Sequence, residues 1–249
     1  MKIIIYNEYV HQSSGKVKKA YPDGMHNTLK SIFDGMDGVK VSTVTLDEIE
    51  TGLSEQALCD CDLVIWWGHC AHDKVPDSIV SSIVERVHGG MGIIFLHSAH
   101  FSKPFRALCG TSCSLRWRET GERERLWTVN PFHPISEGVE QGFRIPHEEM
   151  YGEHFDIPAP DDLVFVGWFE GGEVFRSGCC FNFEKGRGFY LQPGHETFPI
   201  YRDENIRRII KNAALWATHS GEEKSSFTAN PECLHPVISP EHISKLRKL

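Results

Sequence analysis

Short apolar runs and amphipathic stretches alternate along the first hundred residues. Residues 2–6, Lys-Ile-Ile-Ile-Tyr, form a β-branched run of the kind that suits a strand buried on both faces. Residues 7–15 are a polar loop. Over 21–36 the apolar positions Met25, Leu29, Ile32, Phe33 and Met36 recur at spacings of three and four, and Gly38 follows as a stop signal, which predicts an amphipathic helix. Residues 39–45 return to strand character and 47–58 are weakly helical. A third strand is predicted over 62–67, a helix over 76–88 closed by Gly89-Gly90, and a fourth buried strand over 91–96. Strands alternating with helices imply parallel βαβ units.

The second half reads differently. Residues 106–142 are irregular, carry Trp117, Trp127 and the turn-like Asn130-Pro131-Phe132-His133-Pro134, and are read as an insertion over the sheet's ligand crevice. Four strand candidates follow at 143–155, 163–169, 174–183 and 188–191, separated by Gly and Pro turns and more antiparallel in character. A helix over 203–218 buries Ile206, Ile209, Ile210, Ala213, Ala214 and Trp216. The expected fold is α/β, with a mostly parallel central sheet and added antiparallel strands in one domain over 1–218. Residues 219–249 read as a linker and a short basic end.

Composition narrows the partners. With 26 Lys and Arg against 34 Asp and Glu, the formal net charge of −8 disfavours nucleic acid, whose phosphates require a basic face. The apolar start is far too short for a signal segment or a membrane span, so a cytoplasmic protein without a membrane partner is expected. The eight cysteines show no C-x-x-C repeat and are expected to be reduced; Cys109 and Cys113, four apart, are a weak zinc signal by themselves.

Chemistry-bearing residues gather where strands end: His69 and His72 after the third strand, His97 and His100 after the fourth, and His195 after the last. In open parallel sheets, ligands bind beyond the carboxyl ends of the strands, where loops remote in sequence meet. Residues 147–154, His-Glu-Glu-Met-Tyr-Gly-Glu-His, are the densest polar stretch. As a strand, their period of two puts His147, Glu149, Tyr151 and Glu153 on one face and Glu148, Gly152 and His154 on the other. One such carboxylate with histidines from neighbouring loops would suit zinc or a similar ion. Ser98 has the position and one small neighbour of a nucleophile elbow but not its glycines, and could equally cap a helix. No phosphate-binding glycine fingerprint follows any strand, so a nucleotide cofactor is not expected. Trp66, Trp67, Trp117, Trp127, Tyr151 and Trp168 offer faces for a sugar ring, although aromatics are more often core.

Trp66-Trp67-Gly68-His69, Leu96-His97-Ser98-Ala99, Glu148-Glu149-Met150-Tyr151 and Gly186-Arg187-Gly188-Phe189-Tyr190 running to Pro193-Gly194-His195 together resemble the trehalose-utilisation (ThuA-like) family. The resemblance implies a flavodoxin-like three-layer sandwich related to class I glutamine amidotransferases, and a role in sugar catabolism alongside sugar dehydrogenases. It does not imply a glutaminase, because His97-Ser98-Ala99 stands where the amidotransferase cysteine would be. It also places His97, Glu149 and His195 at the site.

The leading expectation is an enzyme acting on a sugar or keto-sugar by isomerisation, elimination or glycosidic cleavage. His97, His195 and Glu149 are candidate ligands of a divalent metal, zinc or manganese. Glu149, His69 and Ser98 are candidate catalytic groups, and Trp67, His100 and Tyr151 candidate substrate contacts. Two other readings stand: a non-catalytic sugar-binding or regulatory partner of a sugar dehydrogenase, and a Ser98 hydrolase. The expected partner is a small carbohydrate; a homo-oligomer is compatible with the sequence, although no segment identifies an interface.

Overall fold

The computed structural model describes residues 1–218. The tail expected over 219–249 and Cys233 lie outside the described residues.

The first half builds β1 (Lys2–Asn7), α1 (Gly15–Ala20), α2 (Met25–Lys30), β2 (Lys40–Thr45), α3 (Ile49–Gly52), α4 (Glu55–Cys59), β3 (Leu63–Trp67), α5 (Asp77–His88), β4 (Gly92–Leu96) and α6 (Lys103–Cys109). The second half adds β5 (Arg116–Thr128), β6 (Gly142–Gly152), β7 (Asp162–Phe169), β8 (Val174–Phe183), β9 (Gly186–Leu191) and α7 (Glu204–Ala217). Among the described residues, the nine strands join one mixed sheet in the order β2-β1-β3-β4-β9-β8-β7-β5-β6. The first five in that order pair in parallel, and β9 onward pairs antiparallel.

The expected α/β class and mixed sheet are therefore present, and the apolar runs explain them. Along β1, Ile3 and Ile5 join one core cluster while Ile4 and Tyr6 join another; Leu63, Ile65 and Trp67 of β3 part from Val64 and Trp66 in the same way. A strand buried on both faces needs apolar side chains at every position, which is why these runs do not alternate. Met25 and Leu29 of α2 and the inner stripe of α7 cover one face, and Ile79, Ile83 and Val87 of α5 with Phe105 of α6 cover the other. Burying each such side chain contributes roughly 1.5–3 kcal/mol. Asp203 caps α7 by accepting the N–H groups of Asn205 and Ile206.

Two expectations change. The helix predicted over 21–36 begins only at Met25 and tightens into a 3-10 turn over Ser31–Phe33. Pro22 precedes it and Gly24 enters at φ +85°, a conformation no helix interior adopts. The stretch 106–142 is not an irregular insertion: after α6 it forms the 13-residue strand β5, between β7 and β6. Its sequence, Arg-Trp-Arg-Glu-Thr-Gly-Glu-Arg-Glu-Arg-Leu-Trp-Thr, hides the strand because charged residues fill it. Arg118 bonds Glu122 and Glu173, and Arg123 bonds Glu170, so ion pairs and backbone ladders hold β5 where apolar side chains are few. Among the described residues, no helix is long and apolar enough to cross a membrane.

Candidate functional site

The parallel strands β1, β3, β4 and β9 are neighbours and end together, so their following loops converge. Strand β6 reaches the same place from the far edge of the sheet, bringing Glu148, Glu149 and Tyr151 to the ends of β4 and β9.

His97 is the first residue after β4. Its backbone lies at φ +53°, the left-handed region that a branched or ring-bearing residue enters only when its surroundings hold it there. What holds it is visible: Nδ1 lies 2.8 Å from the Gln192 carbonyl and Nε2 lies 3.0 Å from Glu149 Oε2, with the Tyr151 ring stacked on the imidazole. Both ring nitrogens face acceptors, so both carry hydrogen and the ring is the imidazolium. Burial alone would push His97 down, but the Glu149 hydrogen bond and the charges of Glu148 and Glu149 carry it up to about 9. Glu149 answers in kind: burial favours its neutral form, yet His97 holds the carboxyl below the ordinary range. The left-handed residue of this turn is His97 and not Ser98, whose Oγ–H donates to the Gly68 carbonyl at 2.8 Å and ties the loops after β3 and β4 together.

A pocket of about 340 Å³ opens in front of this pair. Glu149 and Tyr151 reach it from β6; His69, Ser98 and His100 reach it from the loops after β3 and β4; Trp117 and Glu119 reach it from β5. Trp117 is 65 % exposed, an aromatic face presented at the mouth. Burial pushes His69 down, leaving a neutral imidazole. His100 is also neutral: burial takes it down to about 3, against a 2.7 Å contact between Nδ1 and the Cys113 carbonyl. Trp67 stands behind the wall, 1 % exposed, with its indole N–H donating to the Gly194 carbonyl and its ring stacked on His69.

His97, Glu149 and His195, expected together, are brought together: the rings of His97 and His195 are 5.6 Å apart. They are joined to protein groups, however. His195 Nδ1 lies 2.8 Å from Thr197 Oγ1, and Nε2 lies 3.7 Å from Glu119. Among the described residues, the sets of three donors whose ligand atoms all lie within 4.8 Å are Glu8–His11–Cys70 and His11–His69–Glu196.

Several residues around the pocket were given no role by the sequence reading. Glu148 is completely buried and clamps β6 to the loop after β9 by accepting the N–H groups of Glu149, Gly194 and His195 at 2.8, 2.8 and 3.2 Å. Burial raises it to about 7, against the pull of His97 and those backbone donors. Gly194 is required by close approach, since a Cβ there would sit 2.0 Å from the Tyr201 hydroxyl. Glu8, His11 and Glu196 lack any motif; only their place just beyond strands β1 and β9 could have flagged them. Trp117 was noted only as one of several aromatic faces, and Glu119 was lost with the strand that carries both.

Solved structures that share this architecture at low sequence identity include three of note. A ThuA-like protein from Parabacteroides merdae superposes with a TM-score of 0.66 at 16% identity, over 90% of this chain and 92% of that one. A cytoplasmic protein from Salmonella typhimurium gives 0.58 at 12% identity, over 87% and 99%. A cold-adapted β-galactosidase from Rahnella sp. R3 gives 0.52 at 13%, over 86% of this chain but only 30% of the larger enzyme. No curated protein matches the sequence. The family model for trehalose utilisation matches residues 2–217, covering β1 through α7 with the whole pocket, and the chain belongs to the ThuA family.

Proposed function

We propose that the chain is an enzyme of carbohydrate catabolism that takes a sugar or keto-sugar and moves a proton next to a carbonyl, leading to isomerisation, elimination or glycosidic cleavage. One observation carries this reading: a carboxylate on the pocket wall, Glu149, backed at 3.0 Å by a fully buried imidazolium, His97. The imidazolium keeps Glu149 ionised at neutral pH and so available as a base. A base held below the usual carboxylate range is weak, and it works best on a C–H already acidified by a ketone. His97 then stabilises the remaining charge, Tyr151 orients the carboxylate, and Trp117 offers a ring face to the sugar. Family membership supports a carbohydrate role. The order β2-β1-β3-β4-β9 with helices against both faces supports a flavodoxin-like, three-layer reading of the parallel half.

The test is exchange. Glucosides and disaccharides with one ring hydroxyl oxidised to a ketone are incubated in D2O, and loss of the proton beside the carbonyl is followed by NMR. Wild type should exchange it, and Glu149→Gln should be slower by about 10²-fold or more, the usual scale for a general base. Binding without exchange would favour the non-catalytic partner. Labelling of Ser98 by a serine-directed probe would favour the hydrolase.

A further inference from the structure

We infer that His11, His69 and Glu196 form a divalent-metal site on the flank of the pocket, a two-histidine, one-carboxylate set suited to zinc. The three come from the loops that follow β1, β3 and β9, and one ligand atom of each lies within 4.8 Å of the others. Three of their atoms share an unusual condition: His11 Nε2, His69 Nδ1 and Glu196 Oε2 are all buried with no hydrogen-bond partner. An unsatisfied buried polar atom costs roughly 1–3 kcal/mol, so three residues within reach of one another that each carry one call for a common partner. Two imidazole nitrogens and a carboxylate oxygen are all acceptors once the imidazoles are neutral, and what satisfies three acceptors at once is a cation.

The neighbouring set is already spent. Glu8, which could join His11 and Cys70, accepts the N–H groups of Cys70 and Ala71 at 2.9 and 3.0 Å and the Cys70 thiol at 3.4 Å. It shapes the loop that presents His69 and places its own charge 3.6 Å from His11 Nε2. His195 comes within 3.8 Å of Glu196 Oε2, but its Nδ1 is engaged with Thr197. Trp67 stacks on His69 and sets the plane of that ring. Zinc ligands at roughly 2.0–2.2 Å from the ion leave a tetrahedral set one position open. His69 belongs to both the metal set and the pocket wall, so an oxygen of a bound ligand is the natural fourth partner. Use of the ion in turnover, as a Lewis acid on a sugar carbonyl, rests on the reading above; its binding does not.

The test is direct titration of the chelator-treated full chain with zinc and with manganese by calorimetry, with elemental analysis of the product. One equivalent of metal per chain is expected. His11→Ala and Glu196→Gln should each weaken binding by at least about tenfold, while His97→Gln retains it. Circular dichroism of the metal-free variants should match wild type; His11 is partly exposed, so its replacement tests binding in a folded protein. Absence of saturable binding, binding unaffected by His11→Ala and Glu196→Gln, or loss confined to His97→Gln would overturn the assignment. Failure of the sugar-exchange assay with metal binding intact would instead overturn only the catalytic reading.

Discussion

Glu149 Oε2 and His97 Nε2 face each other at 3.0 Å at the meeting of β6 and β4, two strands that are not neighbours in the sheet. Because His97 is charged and buried, it holds Glu149 below the ordinary carboxylate range. His97→Gln removes that charge, so the Glu149 pKa rises and the acid limb of kcat/KM moves to higher pH. A loss of about 10²-fold in kcat accompanies it if the pair acts as proposed. A pH–rate profile of the variant checks both. An unshifted acid limb would mean that His97 does not set the ionisation of Glu149.

Glu148 gives a stability signal of definite sign. Its folded pKa of about 7 exceeds the ordinary 4.5, so between those values the folded chain holds a proton that the unfolded chain has lost. That contribution is fully present below pH 4.5 and is lost as pH rises through 7. Glu148→Gln removes the titration, so the stability gap between wild type and variant should change across pH 4.5–7 and be flat below it. Urea melts at four pH values measure this.

His100 has the opposite slope. Burial holds it neutral down to about 3, whereas the unfolded side chain takes up a proton near 6.5. Stability from this residue is therefore complete above pH 6.5 and falls as pH drops toward 3. His100→Asn keeps a donor for the Cys113 carbonyl without the titration. Its stability relative to wild type should improve steadily from pH 7 to pH 4.5; a constant difference would show that His100 does not resist protonation.

Gly194→Ala should destabilise the fold by about 1–3 kcal/mol, the scale of overpacking, because the new Cβ would overlap the Tyr201 hydroxyl. The same strain displaces the N–H that Glu148 accepts and the carbonyl that Trp67 bonds. Pairing it with Tyr201→Phe should recover only part of the loss, since the ring carbon Cζ would still lie 2.8 Å away. Denaturant midpoints of the two single variants and the double variant decide the matter.

The parallel half of the fold was legible because strands buried on both faces must be apolar throughout, a pattern that polar loops and Gly stops interrupt cleanly. The histidines after β3, β4 and β9 were legible too, because strand ends in a parallel sheet are where loops converge. Strand β5 was not, for its partners are ion pairs whose other halves, Glu170 and Glu173, lie some fifty residues away in sequence.

The sequence by itself therefore determined the α/β class and the gathering of His97 and His195 at strand ends, while the family resemblance added Glu149 beside them. Only the tertiary structure decided how each of those neighbours is held. Whether a histidine is charged, neutral or a ligand depends on the acceptors around each ring nitrogen, and those come from other elements: Gln192 and Glu149 for His97, Cys113 for His100. His11, His69 and Glu196 are far apart in the chain and adjacent in space because β1, β3 and β9 end on the same side of one sheet. Burial and strand order set that environment, and neither is written in the local residue pattern.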